Sequence, residues 1–289
     1  MKNKILFYVN GGGLGHLSRT AAFIYTEQID ANECIILSSS PYAHLFFPMH
    51  SINVVPNHLA FNVQELASFL QKQIECHSFE AIYIDTFPLG IIGELQYVDF
   101  KNIKLFYLAR YLKWELYREL IKTNSKILFS HTFLFEELST EHLSFTLDNS
   151  VQYSNLQLIY PPKEIPERLK LKLSSKPNSQ NWLIVHSTPA DEVFALIEHA
   201  KDLAQKENKP VIFHLATQTE IELPNEIERI NFFPAYALFP YVDRIITACG
   251  FNLMQQTQSF RSKHIAVPFP RQFDNQFLRF TKMKKASKN

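Results

Sequence analysis

Asn10-Gly11-Gly12-Gly13-Leu14-Gly15-His16 follows directly on the apolar run Ile5-Leu6-Phe7-Tyr8-Val9. After it comes a stretch from about Leu17 to Gln28 whose apolar residues recur at helical spacing. Strand, glycine loop and helix together open a βαβ unit, and that reading decides the fold. The chain has only seven glycines, and four of them fall in this loop. Glycine is needed where the backbone turns tightly or must leave room for a neighbour. The loop, Gly11, Gly12, Gly13 and Gly15, would lie at the carboxyl end of the first strand, where open parallel sheets bind ligands. Main-chain N–H groups at the start of the next helix favour an anion or a polar oxygen there.

The alternation continues outward from this unit. Cys34–Leu37, Ala81–Ile84, Ile103–Leu108 and Lys126–Ser130 read as strands. Val63–Ile74 reads as a helix, with Leu66, Phe69, Leu70 and Ile74 on one stripe. Asp85-Thr86-Phe87-Pro88 ends one strand and leads into a short helix. The periodicity blurs between Phe133 and Ile159. A polar segment with several prolines, from Pro161 to Gln180, then reads as a linker. Beyond it, Trp182–Val185, Pro210–Leu215, Arg229–Phe233, Arg244–Thr247 and His264–Val267 read as strands. Ala190–Gln205 and Phe251–Phe260 read as helices, and the chain from Asp274 onward is helical and basic. The expected fold is α/β. Two Rossmann-like, doubly wound parallel-sheet domains, residues 1–160 and a shorter 181–289, face a cleft and are joined by a linker at 161–180.

Composition narrows the function. With 29 Lys+Arg against 28 Asp+Glu the formal net charge is +1, so the chain lacks the basic excess of a dedicated nucleic-acid binder. Cys34, Cys76 and Cys249 form neither a disulfide framework nor a CxxC zinc pair, which fits a reducing compartment. No apolar run reaches the roughly 18 to 20 residues needed to span a bilayer. The apolar start is too short for a signal peptide and runs into glycines, so it reads as the first strand of a cytoplasmic protein. Leu45-Phe46-Phe47-Pro48-Met49 and the basic tail at Lys282, Lys284, Lys285 and Lys288 are candidates for peripheral membrane contact. Core packing and a solvated terminus are the alternative readings.

The glycine loop fails two familiar tests. A dinucleotide fingerprint GxGxxG needs glycine where His16 stands, and the strand Cys34–Leu37 runs into Ser38-Ser39-Ser40 without an acidic residue for ribose. A P-loop needs Gly-Lys-Ser/Thr where Gly15-His16-Leu17 stands. His16 is the departure with chemical content. An imidazole near a helix N-terminus is kept neutral by the dipole and can accept a proton. The other reading is a histidine that caps the helix or packs on the loop. Asp85 lies at a strand end on the same edge. It either orients His16 as a base–carboxylate pair or caps the helix that follows. Arg110 reads either as an anion-binding group or as a solvated charge at a helix start, and Glu94 as an exposed helix residue.

Asn10 to His16 resembles the N-terminal loop of GT-B glycosyltransferases of the MurG-like kind, which include predicted GlcNAc transferases. Asp85-Thr86-Phe87-Pro88-Leu89-Gly90 resembles a D-x-F-P-x-G stretch in predicted members. Tyr241 to Asn252 resembles their donor-binding segment, an apolar strand followed by G-[FY]-N at a helix start. It continues through His264 to Pro270 to a closing segment at Arg271 and Asp274-Asn275-Gln276. The resemblance implies a nucleotide-sugar donor, a UDP sugar first, held by Gly250, Phe251 and Asn252. Gln256 would face the ribose, and Asp274 and Gln276 the sugar hydroxyls. It also implies a glycan or glycolipid acceptor, as in cell-envelope polysaccharide, with catalysis by His16 and Asp85. Ser187 and Thr188 follow the first strand of the second domain and would add hydroxyl donors. With no Asp-x-Asp in the chain, no metal and no cofactor are expected, and helix N-termini and cations would stabilise the leaving group. Retaining members place acids eight apart where Ala248 and Gln256 stand, so inversion is expected. The family's ribose-binding glutamate is Gln256 here, and its usual Gly and Pro before the next strand are Arg261 and Lys263. These departures keep two further readings open: a GT-B protein that binds a nucleotide, glycan or partner without turnover, and a sugar-nucleotide epimerase.

Overall fold

The computed structural model describes residues 5–121, 127–174 and 178–286. Lys126, Pro177 and Lys288, which the sequence reading assigns to a strand, the linker and a basic tail, lie outside the described residues. The chain divides into two units: Met1–Pro161 with Gln272–Asn275, and Pro162–Arg271 with Gln276–Asn289.

In the first unit the elements are β1 (Ile5–Tyr8), α1 (Leu14–Thr26), β2 (Cys34–Ser38), β3 (Ile52–Val54), α2 (Val63–Cys76), β4 (Ala81–Asp85), β5 (Lys104–Ala109), α3 (Trp114–Ile121), β6 (His131–Leu134), α4 (Thr140–Asp148) and β7 (Tyr153–Asn155). All seven strands are parallel, in the order β3-β2-β1-β4-β5-β6-β7. The strand order reverses between β1 and β4, the switch point of a doubly wound sheet.

Period-two alternation assigns each face its own chemistry. Leu6 and Tyr8, Ile35 and Leu37, Ile82 and Ile84, and Leu105 and Tyr107 join one apolar core with Leu66, Leu70 and Ile74 of α2. The intervening residues build an aromatic layer instead. Phe7 stacks on Tyr83 at 4.7 Å and Tyr83 on Phe106 at 4.5 Å, and Phe23 of α1 packs on Tyr83 and Phe133. The helices follow from their caps and stripes. Asn62 Oδ1 accepts from the Glu65 N–H at 3.1 Å to start α2. α1 starts at an extended Gly13 with no side-chain cap. It therefore begins at Leu14, three residues ahead of the expected start, and takes His16 into its first turn.

The sequence reading misplaces two strands, one in the second unit, where Arg229–Phe233 is expected and the ladder runs through Ile227–Arg229, and one in the first. Lys126–Ser130 was expected, but the ladder runs through His131–Leu134, with Phe129 joined only by an isolated bridge to Ser150. The apolar run misleads because Leu128 is exposed, whereas Thr132 and Leu134 are the inward residues. The blurred stretch beyond it holds α4 and the edge strand β7. Tyr153 and Asn155 of β7 face solvent and leave no apolar alternation to read.

The second unit contains α5 (Glu167–Leu173), β8 (Gln180–Val185), α6 (Ala190–Glu207), β9 (Val211–Ala216), β10 (Ile227–Arg229), β11 (Arg244–Ala248), α7 (Phe251–Gln256), β12 (His264–Val267) and α8 (Gln276–Ala286). Its five parallel strands run β10-β9-β8-β11-β12, so the reversal falls between β8 and β11. α5 lies inside the segment expected to be a linker. Leu173 is fully buried and joins Ile165 in the core beneath β8 and β11, which orders that stretch. The expected helix Phe251–Phe260 ends at Gln256, and a 3-10 stretch, Gln258–Lys263, replaces its second half.

A buried histidine makes the first unit acid-sensitive. His142 is fully buried, stacks on Trp114 at 4.6 Å, and its Nε2 lies 2.9 Å from the Tyr107 hydroxyl. Burial, with a smaller push from Arg110, lowers its pKa to about 3. The unfolded chain therefore takes up a proton near its ordinary value of 6.5, which the folded chain refuses until about 3. Stability is full above that window and falls as the pH drops through it. Relative to His142→Phe, the wild type is expected to lose about 2 kcal/mol of unfolding free energy between about pH 7 and pH 5. Urea denaturation at the two pH values checks this.

Candidate active site

The glycine loop leaves β1, and Asp85 ends β4, the strand beside it. The two meet at the switch point of the first sheet, where strand order alone predicts a ligand site. His16 Nδ1 lies 2.5 Å from Asp85 Oδ2. Beside an ionised carboxylate, Nδ1 carries the proton and Nε2 keeps its lone pair. Among the described residues Nε2 has no hydrogen-bond partner, and the His16 side chain is 16% exposed. Gly11 is what makes room for the ring. A Cβ at Gly11 would come within 2.6 Å of His16 Cδ2 and 2.7 Å of Nε2. Phe87 stacks on the imidazole at 6.0 Å. The expected pairing of His16 with Asp85 is thus present as a contact, and the N-cap of the short 3-10 helix that follows, Glu94–Tyr97, is Gly93.

The sequence reading does not anticipate Arg19. It lies three residues after His16, on the same side of α1, and only 2% of it is exposed. Its Nε donates to Asp85 Oδ1 at 2.8 Å and its Nη2 to Oδ2 at 2.6 Å, a fork on both oxygens. Nη2 also donates to Thr86 Oγ1 at 2.6 Å. Burial alone would raise the Asp85 carboxyl. Arg19 foremost, and His16 with it, outweigh burial and hold it far below the usual carboxylate range. His16 is shifted down. Burial dominates, Asp85 pulls the other way, and Arg19 and Arg110 add to the fall. The available signal was a lone charged residue among Leu17, Thr20, Ala22 and Phe23 on the buried side of the helix.

Thr86 shapes the turn that presents Asp85. Its φ is +66°, rare for a β-branched residue, and Phe87 N donates to Asp85 O at 2.8 Å across it, closing a γ-turn. Such strain costs about 1–3 kcal/mol and persists where the surroundings over-determine it. Here the Thr86 amide donates to Leu108 O, its carbonyl accepts from Tyr107, and its hydroxyl donates to Asp85 Oδ2.

Glu94 also departs from expectation. It is fully buried rather than exposed, because it accepts from the Tyr8 hydroxyl and the Ile91 and Ile92 amides. Arg110 is buried at the end of β5 and forms an ion pair with Asp274 at 3.0 Å within the first unit.

In the second unit, Ser187 and Thr188 follow β8 and Gly250 follows β11, the two strands flanking its switch point. Gly250 is the N-cap of α7, with open space where a Cβ would stand. Phe251 is buried beneath the Arg279 guanidinium, while Asn252 and Gln256 are half-buried. Gln276 is buried, and its Oε1 accepts from the Cys249 and Phe269 amides at 3.1 and 3.0 Å, so that oxygen serves the main chain. His186, Glu192 and Arg271 form a polar cluster beside Ser187. His186 Nε2 lies 2.8 Å from Glu192 Oε2, and Arg271 forks onto the same carboxylate.

No protein-family model and no curated protein matches the chain by sequence. Solved structures match its fold along nearly its whole length. The spinosyn rhamnosyltransferase SpnG is 11% identical, with 98% of this chain and 84% of that one covered, at a TM-score of 0.61. The S. aureus MnaA structure with UDP is 10% identical, with 99% and 88% covered, at 0.59. UDP-N-acetylglucosamine 2-epimerase from Rickettsia bellii is 12% identical, with 94% and 80% covered, at 0.56. The shared architecture is the GT-B fold, with a Rossmann-like parallel sheet in each unit.

Proposed function

We propose that the protein is a metal-independent, inverting glycosyltransferase that moves a sugar from a UDP sugar to a hydroxyl of a glycan or glycolipid. The observation carrying this reading is the His16–Asp85 pair at the first switch point, with Nδ1 on the carboxylate and Nε2 left as the base. His16 Nε2 takes the proton of the acceptor hydroxyl as that oxygen bonds to the anomeric carbon. The bond from that carbon to the diphosphate oxygen breaks, and the nucleoside diphosphate leaves. The imidazolium formed is stabilised by Asp85. The second unit supplies nucleotide recognition through Gly250, Phe251 and Asn252, with hydroxyls from Ser187 and Thr188 and with Gln256 toward the ribose. Asp274 is assigned to the donor sugar only if it exchanges its bond with Arg110.

Likeness to SpnG and to UDP-bound MnaA supports a nucleotide-sugar ligand. A thermal-shift series with UDP, GDP, TDP and CMP tests recognition. At about a hundredfold excess over Kd, the preferred nucleotide adds about 2.7 kcal/mol of stability. Stabilisation by none of them would sink the proposal. Incubation of the matching sugar nucleotide with EDTA and no acceptor separates the epimerase reading, which the Rickettsia bellii likeness favours. Conversion of the donor to an isomer under those conditions would support it.

A further inference from the structure

We propose that Arg19 is a positioning residue that locks Asp85 in one orientation and offsets its charge, so that His16 stays an unprotonated base into acidic solution. The inference deepens the reading of His16 as the base and rests on it.

The geometry leaves Asp85 no freedom. Oδ1 accepts from Arg19 Nε at 2.8 Å. Oδ2 accepts from His16 Nδ1 at 2.5 Å, Arg19 Nη2 at 2.6 Å and the Thr86 hydroxyl at 3.2 Å. A fork of this kind fixes the carboxylate plane as well as its charge state, which a lysine point charge cannot do. Asp85 and Arg19 are both at least 97% buried, so water screens the arrangement little.

The charges facing His16 come from three elements. Asp85 at the end of β4 favours the imidazolium, while Arg19 on α1 and Arg110 after β5 oppose it. Arg19 Nη2 also lies 3.3 Å from His16 Nδ1. Once Nδ1 carries its proton these are two donors facing each other, which repels a second proton on the ring. A histidine paired with a carboxylate alone is driven toward the charged form. With the guanidinium on the same carboxylate, the group Arg19–Asp85–His16 is neutral overall before catalysis. It gains one positive charge only when the substrate proton arrives.

The test is an NMR titration of the His16 imidazole nitrogens in the full-length protein, run beside the pH profile of kcat/KM. In the wild type, His16 should hold the Nδ1–H tautomer and titrate below the ordinary value of about 6.5. Arg19→Met should raise the midpoint by about one unit or more, and the acid limb of kcat/KM should rise with it. Arg19→Lys retains the charge and loses the fork. Its midpoint should stay near the wild type while kcat falls. A wild-type midpoint above the ordinary value overturns the proposal without any variant. So does a folded Arg19→Met whose midpoint stays where it was. The titration needs no turnover. If it behaves as expected and no sugar moves, the transferase reading fails while the Arg19 effect stands.

Discussion

Replacing His16 by alanine is expected to lower the turnover number for sugar transfer by about 10²–10⁴-fold. UDP affinity should stay unchanged, because nucleotide recognition is assigned to the second unit. Asp85→Asn is the sharper test of the pair. Its side chain keeps its shape, but its amide must direct both an acceptor and a donor at groups that all donate to the wild-type carboxylate. Oδ1 faces Arg19 Nε, and Oδ2 faces His16 Nδ1, Arg19 Nη2 and the Thr86 hydroxyl. If the amide nitrogen takes the Oδ2 position, Nδ1 must become the acceptor and Nε2 the protonated nitrogen. The imidazole is then present with its basic atom pointing the wrong way, and the loss should match or exceed that of His16→Ala. If the nitrogen takes the Oδ1 position, it opposes Arg19 Nε. In either case the Arg19 guanidinium is left buried without a counter-charge, at a cost of about 3–5 kcal/mol. Steady-state kinetics with the preferred donor, read beside urea unfolding of the same variant, separates the two effects. Asp85→Asn turning over at the wild-type rate would show that Asp85 does not set the tautomer.

Much of this site can be read in the sequence because it is local. A glycine loop between an apolar strand and an amphipathic helix can be found without coordinates, as can Asp85 at the end of a later apolar strand. Strand order then brings β1 and β4 side by side. Arg19 stays hidden because helical spacing gives its direction but not what it meets, and an arginine in a helix is solvated more often than buried. Glu94 misleads for the same reason. Its partners, Tyr8 and two amides of its own loop, are assembled by the turn at Gly90 and not by any periodic pattern. In the second unit Gly250 and Phe251 are legible by position. The fate of Gln276 is decided by the ends of β11 and β12, which its amide oxygen ties together. Edge strand β7 and helix α5 escape notice because each offers too few inward apolar residues to set a period.

Glu94→Gln is expected to destabilise the protein by about 3 kcal/mol, a large effect for a change of one atom. The carboxyl sits where a Cβ of residue 90 would stand, and Gly90, at φ +88°, is the residue that permits it. Its Oε1 accepts from the Tyr8 hydroxyl at 2.6 Å and the Ile91 amide at 3.0 Å, and its Oε2 from the Ile92 amide at 2.9 Å. All three partners present hydrogens to it. Glutamine can keep its oxygen at the doubly used position only by turning its NH₂ toward the Ile92 N–H. That leaves one buried donor unsatisfied, at about 1–3 kcal/mol, and replaces charge-assisted bonds by neutral ones of roughly half the strength. The flipped amide is worse, since it opposes two donors. The effect reaches the glycine loop. Asn10 Nδ2 donates to the Tyr8 hydroxyl at 3.0 Å, and Ser39 donates to Asn10 Oδ1 at 2.8 Å, so the residue that opens the loop hangs on this chain of bonds. Tyr8→Phe spares the amides but removes a donor to Glu94 and the acceptor of Asn10 Nδ2, so it should cost about 2 kcal/mol, less than Glu94→Gln. Urea unfolding of both variants near neutral pH checks the ranking. Burial pushes the Glu94 carboxyl up, against the pull of Tyr8 and the loop amides. Equal stability of Glu94→Gln and wild type would therefore mean that burial prevails and the carboxyl is already protonated, its O–H standing where the amide would.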